Sequence, residues 1–292
     1  MTRCAAASLA RGDQLAGTAS TVRSFFLVED PGPWGTAILR DSRLPPEVRT
    51  ALGAAPGVRP LLIRRTGRKQ PDGVRVFAVQ VDAAGGWVES ARLDSVHDVT
   101  SLGLASLAAG ESMGLDPHTD PLVLVCTHGR HDACCAELGR PVALALAEAG
   151  VDAWECSHIG GDRFAGNLLM LPDGVYYGRV DPDSVAGVVR GHLAGRLDLD
   201  LMRGLSHLPM PVQAAEIAVR RQLGVADLRA VVPLGHRTAD GIVEARFAVP
   251  GGEARVRVRT TLGPDSALLT CQARGSSELP HHEIVEVRLT GG

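Results

Sequence analysis

Leu122-Val-Leu-Val-Cys126, Pro141-Val-Ala-Leu-Ala-Leu-Ala-Glu148 and Val151-Asp-Ala-Trp-Glu-Cys156 follow one another in a single stretch. The first and third are short apolar runs of strand length, and the second is an alanine- and leucine-rich helix former. Proline opens the helix and Gly150 stops it. Leu168–Leu171 and Val175–Arg179 then flank Pro172-Asp-Gly174. That tripeptide is a turn signal, because proline presets φ and glycine supplies the positive φ a tight turn needs. Asp183–Leu193, with an Asp/Ser start, reads as a helix. Strand, helix, strand, hairpin, helix is the thioredoxin-like order.

The segment from about Arg23 to Gly110 repeats it. Ser24–Val28 is strand-like, Pro45–Leu52 helical, and Pro60–Ile63 a short strand. Val74–Val81 and Trp87–Leu93 flank Ala83-Ala-Gly-Gly86 as a hairpin, and Val99–Ala109 reads as the closing helix. The third segment differs. Pro211–Leu223 is amphipathic, with Val212, Ala215, Val219 and Leu223 at helical spacing. Strands are expected at Arg229–Val232, Ile242–Val249, Ala254–Thr260, Ala267–Gln272 and Glu283–Leu289. Arg255, Arg257 and Arg259 alternate with Val256 and Val258, which is the pattern of a strand with one solvated face. The expected fold class is therefore α/β. Two thioredoxin-like lobes (1–119 and 120–200, mixed sheets flanked by helices) precede a small α+β segment (201–292).

Composition narrows the function. The chain has 292 residues, 45% of them hydrophobic and 22% charged, as in ordinary globular proteins. A net charge of −3 gives no basic field for nucleic acid, and 3% aromatic content leaves few stacking platforms for bases or sugars. Lys69 is the only lysine and lacks the glycines of a phosphate-binding loop, and no Gly-x-Gly-x-x-Gly run is present. No run approaches the roughly 20 apolar residues of a membrane span. Arg11 and Asp13 interrupt the start of the chain at once, unlike an export signal. The expectation is a cytoplasmic chain, in which six cysteines serve metal or redox chemistry better than a disulfide framework.

The chemistry-bearing residues sit where the strand-like runs end. Leu122–Val125 leads into Cys126-Thr-His-Gly-Arg-His-Asp-Ala-Cys134-Cys135. Val151–Cys156 leads into Ser157-His158-Ile-Gly-Gly-Asp162-Arg163. Strands pointing the same way gather such loops on one rim of a sheet. Thiolates with imidazole suit iron, zinc or an iron–sulfur cluster. A 2Fe-2S cluster needs four ligands, and Cys126 with Cys135, and His158 with Asp162, stand at the ends of two loops. Gly160 and Gly161 would let backbone N–H groups approach bridging sulfides. Cys134 reads as a buried neighbour, His128 and His131 as exposed loop residues or donors behind the ligands, and Arg163 as a charge balance or a surface ion pair. Cys4 and Cys271 read as structural, Trp154 and Phe164 as packing, and His281 and His282 as surface residues.

These motifs resemble the sucrase/ferredoxin-like family. The resemblance rests on Cys126-Thr-His-Gly, Asp132-Ala-Cys-Cys-Ala, Gly139-Arg-Pro and Trp154-Glu-Cys-Ser-His-Ile-Gly-Gly-Asp-Arg-Phe-Ala-Gly-Asn-Leu-Leu169. It extends through Tyr177-Gly-Arg-Val180, Val28-Glu-Asp-Pro-Gly-Pro-Trp-Gly35, Leu62-Ile-Arg-Arg65 and Pro211-Val-Gln-Ala-Ala-Glu216. It implies a thioredoxin-like 2Fe-2S ferredoxin. In the family's characterised eukaryotic branch two cysteines and two histidines hold the cluster, which places the ligands at Cys126, Cys135, His158 and residue 162. Here residue 162 is aspartate. Asp162 keeps the family spacing; Cys156 is the best substitute if its strand continues to His158, with Cys134, His128 and His131 also near.

The leading expectation is an electron carrier rather than an enzyme. It would exchange electrons with a redox partner protein, a flavoprotein reductase being the natural class, and with an unidentified acceptor. A thiol oxidoreductase is the alternative, although no Cys-x-x-Cys pair is present. A structural zinc protein built on the same four residues is the other. A sugar-hydrolase activity has neither a paired-carboxylate motif nor the aromatics to support it.

Overall fold

Ser24–Glu29 is buried along its whole length, as a central strand covered on both faces must be. It lies in a computed structural model describing residues 2–67, 72–263 and 269–291; Lys69, Ala267 and Leu268 fall outside these. The first part of the chain forms α1 (Cys4–Arg11), β1 (Ser24–Glu29), α2 (Ile38–Asp41), α3 (Pro46–Gly53) and β2 (Val58–Arg65). It continues with β3 (Val74–Gln80), β4 (Trp87–Leu93), α4 (Leu104–Ala108) and the short β5 (Asp116–Pro117). The middle part forms β6 (Leu122–Cys126), α5 (Ala133–Glu148), β7 (Ala153–Cys156), β8 (Leu168–Leu171), β9 (Val175–Tyr177), α6 (Val185–Leu193) and β10 (Met202–Leu205). Then come α7 (Met210–Leu223), β11 (Val232–Ala239), β12 (Ile242–Val249), β13 (Gly252–Leu262) and β14 (Pro280–Gly291).

The two halves share one topology. Strand β1 pairs parallel with β2 and antiparallel with β3, which pairs with β4. Strand β6 likewise pairs parallel with β7 and antiparallel with β8, which pairs with β9. Each set has the thioredoxin-like order. The halves are not separate sheets, however. Antiparallel pairing of β2 with β7, Ile63 opposite Cys156 and Arg65 opposite Trp154, joins them into one ten-stranded sheet. Phe77 in β3 and Trp154 in β7 are three strands apart, about 14 Å in a flat sheet. Their rings nevertheless meet edge to face at 5.7 Å, so the sheet curls and the halves share an apolar core. The last part is an antiparallel four-stranded sheet with α7 packed on it, and its Ala245, Phe247, Val256 and Val258 join the core of the middle part. On β13 the valines face that core and Arg255, Arg257 and Arg259 face solvent, beside Glu253, Glu286 and Glu283.

Five expectations are corrected. Val99–Ala109 is not one helix. A capping box of Ser95 and Asp98 starts a 3-10 turn over Val96–Ser101, and non-helical Leu102 and Gly103 separate it from α4. Helix α5 begins eight residues before Pro141, at Ala133, because the Asp132 carboxylate caps it by accepting the Cys134 N–H at 2.8 Å. Pro141 sits inside that helix, which forgoes one backbone hydrogen bond there. Arg229–Ala230 form a turn and a bend, and the strand starts at Val232; within Ala267–Gln272 the described residues 269–272 are bends and turns. His282 is buried rather than at the surface. Its backbone exchanges hydrogen bonds with Gln14, and its Nδ1 lies 3.0 Å from the Thr260 hydroxyl.

Helix α5 lies directly on the end of β6. A methyl group at Gly139 would overlap the Cys126 carbonyl, so only glycine permits this approach. Gly139→Ala is expected to lower stability by about 1–3 kcal/mol in urea unfolding. Alanine's helix propensity, worth about 1 kcal/mol over glycine, does not offset a collision between two packed backbones. Unchanged stability would show that α5 can lift off β6 freely.

Candidate metal centre

Parallel pairing sets Cys126 of β6 beside Cys156 of β7, so the chain leaves both strands at the same rim. Helix α5 then returns to that rim with Cys135 in its first turn. Cys126 Sγ, Cys135 Sγ and a ring nitrogen of His158 all lie within 4.8 Å of one another. Asp162 Oδ1 is 3.2 Å from Cys135 Sγ and 2.8 Å from His158 Nδ1, the latter contact without hydrogen-bond alignment. All four expected residues therefore come together. Cys126, Cys135 and Asp162 are buried, and only His158 reaches towards solvent.

The charges on these groups depend on each other. Burial opposes a charge on His158, but the Asp162 carboxylate and Cys126 outweigh it and raise its pKa to about 9. Burial would raise Asp162, yet His158 holds it below the ordinary range. The Cys135 thiol, donating to Cys126, draws the Cys126 pKa down, aided by His158 against burial. Cys135 itself is pushed up by Cys126 and by burial.

Residues outside the motif's donors hold the loops. His128 is buried: its Nε2 donates to the Gly35 carbonyl at 2.8 Å, and its Nδ1 accepts the His158 N–H at 3.1 Å. It therefore holds the His158 backbone from behind and is not an exposed loop residue. His131 is half-buried and stacks on His158 at 3.7 Å between ring centroids. Gly160 and Gly161 make close contacts that a side chain would block. Their open sides face the Ser20 hydroxyl and the Arg203 guanidinium, with which added methyl groups would collide. Arg203 is wholly buried and donates to the Gly160 carbonyl at 2.9 Å, Asn167 Oδ1 at 2.8 Å and the Thr18 carbonyl at 2.5 Å. Desolvation lowers its pKa to about 10. Nothing in the local sequence around Arg203 signals this role, because its partners are distant in the chain.

Cys156 does not join the gathered donors. Strand β7 ends there, since Ser157 bonds to Leu62 through both its backbone N–H and its hydroxyl. His158 then turns away, and Cys156 stays in the core shared by the halves. Arg163 is mostly buried, 3.5 Å from Asp13 and over the Phe164 ring, rather than in a surface ion pair. Cys134 is buried as expected, but it meets Cys4 and Cys271 on the far side of the α5 terminus. All six cysteines are free.

The sheet order defines a thioredoxin-like protein, with two thiols, an imidazole and a carboxylate gathered at one rim. A profile of the Sucrase/ferredoxin-like family matches residues 15–204, and the chain belongs to that family. Altered inheritance of mitochondria protein 32 of Meyerozyma guilliermondii is 37% identical over 82 residues, 24% of this chain and 29% of that protein. The protein of the same name from Debaryomyces hansenii is 35% identical over 96 residues, 28% of this chain and 35% of that protein. The matches thus span about a third of those relatives. A solved thioredoxin-like 2Fe-2S ferredoxin from Aquifex aeolicus shares 22% identity over 32% of this chain and 97% of its own, with a TM-score of 0.27.

A metal held by these four groups would bind only after His158 and the thiols give up their protons. With His158 at about 9, loading of the metal-free protein is expected to release protons and to strengthen as pH rises from 7 towards 9. Metal titrations at a series of pH values check this. Loading that is flat across that range would remove His158 from the ligand set.

Proposed function

We propose that this protein is an electron carrier whose 2Fe-2S cluster is held by Cys126, Cys135, His158 and Asp162. The supporting observation is the convergence of these four donors at one buried rim. Their chemistry fits the group: two thiolates, an imidazole and a carboxylate can all ligate iron. Bound there, the cluster would supply one-electron transfer. Cys126 and Cys135 would hold it from the protein interior and His158 from the solvent side. His131 covers that side, which makes the His131–His158 stack the approach for a partner. A flavoprotein reductase is the proposed donor class, and the free cysteines suit a reducing, cytoplasmic setting.

Zinc at the same residues is the second reading, favoured by the close approach of Cys126, Cys135 and His158, whose donor atoms lie within 4.8 Å of one another. Thiol chemistry is weaker, because Cys126, whose pKa is drawn down, is only 1% exposed.

Iron and acid-labile sulfide analysis of anaerobically purified protein tests the proposal. The expected result is a brown protein with about two irons and two sulfides per chain. Cys126→Ala and Cys135→Ala are expected to lose the visible spectrum. Asp162→His should keep it, raise the midpoint potential by removing a negative ligand, and make that potential pH-dependent. Stoichiometric zinc without iron after careful reconstitution, lost from Cys126→Ala and Cys135→Ala, would replace this function with the zinc reading.

A further inference from the structure

Three cysteines and a carboxylate meet on the other side of the α5 terminus. The Sγ atoms of Cys4, Cys134 and Cys271 form a triangle with every side 3.5 Å. Tetrahedral zinc, with Zn–S near 2.3 Å, sets its thiolates roughly 3.8 Å apart. A disulfide requires about 2.05 Å, and these contacts are far longer. The fourth corner is occupied. Asp132 Oδ1 and Oδ2 lie 3.7 and 3.8 Å from Cys4 Sγ, and the four donor atoms fall within 4.8 Å of one another.

The surroundings are those of a site rather than of ordinary packing. Asp132 is 0% exposed, Cys4 0% and Cys134 1%. Among the described residues no basic side chain forms an ion pair with Asp132; its oxygens accept the Cys134 N–H at 2.8 Å and the Cys271 N–H at 2.6 Å. A carboxylate this deep, beside three sulfurs, calls for a cation. Cys271 is partly exposed, which leaves an entry path. The backbone N–H of Cys4 also points at Cys271 Sγ, at 3.5 Å.

We propose that Cys4, Cys134, Cys271 and Asp132 form a second metal site, which binds one divalent zinc ion. Binding exchanges three thiol protons, released to solvent, for one Zn2+; no electrons move. The site ties three distant parts of the chain together: helix α1, the start of α5 and the segment before β14. It also abuts the first centre. Asp132 and Cys134 belong to one site and Cys135 to the other, so the ion would fix the turn that presents Cys135.

Metal analysis of the full chain, kept reduced, provides the test, and it is independent of the iron reading. The Cys126→Ser/Cys135→Ser double variant, which lacks the first centre's thiolates, should still hold one zinc per chain. Cobalt supplied in place of zinc should give that variant the visible bands of a tetrahedral thiolate site. Cys4→Ser/Cys271→Ser should lose the zinc while keeping any iron–sulfur spectrum. Zinc-edge X-ray absorption on the unaltered chain guards against misfolded variants, with three sulfurs and one oxygen expected around the ion. Three results would overturn the site: no zinc or cobalt in the first variant, a two-sulfur shell on the unaltered chain, or a disulfide among the three cysteines. Absence of iron alone would sink the first centre's reading and leave this one standing.

Discussion

The carboxylate of Asp132 is the group on which both candidate centres depend. By accepting the Cys134 N–H it starts α5 and places Cys134 and Cys135 on one helical turn. Successive residues on a helix point about 100° apart. One sulfur therefore faces β6 and β7 and the other faces α1 and the chain's C-terminal part. The second oxygen of the same carboxylate accepts the Cys271 N–H, which brings that part in. Remove the cap, and the turn carrying both sulfurs loses the bond that orients it.

The two halves divide the labour unequally. In the first half the chain leaves β1 through Glu29, whose carboxylate accepts the Arg75 N–H, so no soft ligand stands where Cys126 stands in the second. The loop that follows supports the other half's site. The Gly35 carbonyl accepts from His128, the Trp34 ring packs edge-on to the same imidazole, and the Thr36 carbonyl lies 3.1 Å from His131 Nδ1. The seam between β2 and β7 makes this possible. It is reinforced by the Arg64–Glu155 pair at 2.7 Å, and Glu155 also accepts from Thr127, the residue after Cys126.

How much of this was legible follows from the range of each interaction. The strands of both halves are readable because each is a short, continuous apolar run bounded by turn residues, as at Pro172-Asp-Gly174. Cys126, Cys135, His158 and Asp162 are readable because they follow strand ends that parallel pairing brings together. The start of α5 is obscured by Pro141, which resembles a first-turn proline, and by the polar residues before it. Cys156 misleads because strand periodicity extends past it in sequence, whereas Ser157 ends the strand by bonding to Leu62. Arg203, His282 and the Cys4–Cys134–Cys271 group have no local signature at all, since their partners lie far away in the chain and only folding makes them neighbours.

The meeting of Cys4 with Cys271 also sets a timetable. They are 267 residues apart. A ribosome adding roughly 5–20 residues per second needs on the order of tens of seconds between making one and the other. Throughout that interval the curled sheet and the α5 terminus can form, while Cys4 and Cys134 wait without their third sulfur. The structure around the cysteine turn is thus completed only after the elements between the two cysteines have been made, which makes the arrival of Cys271 a signal that both halves of the large sheet are present.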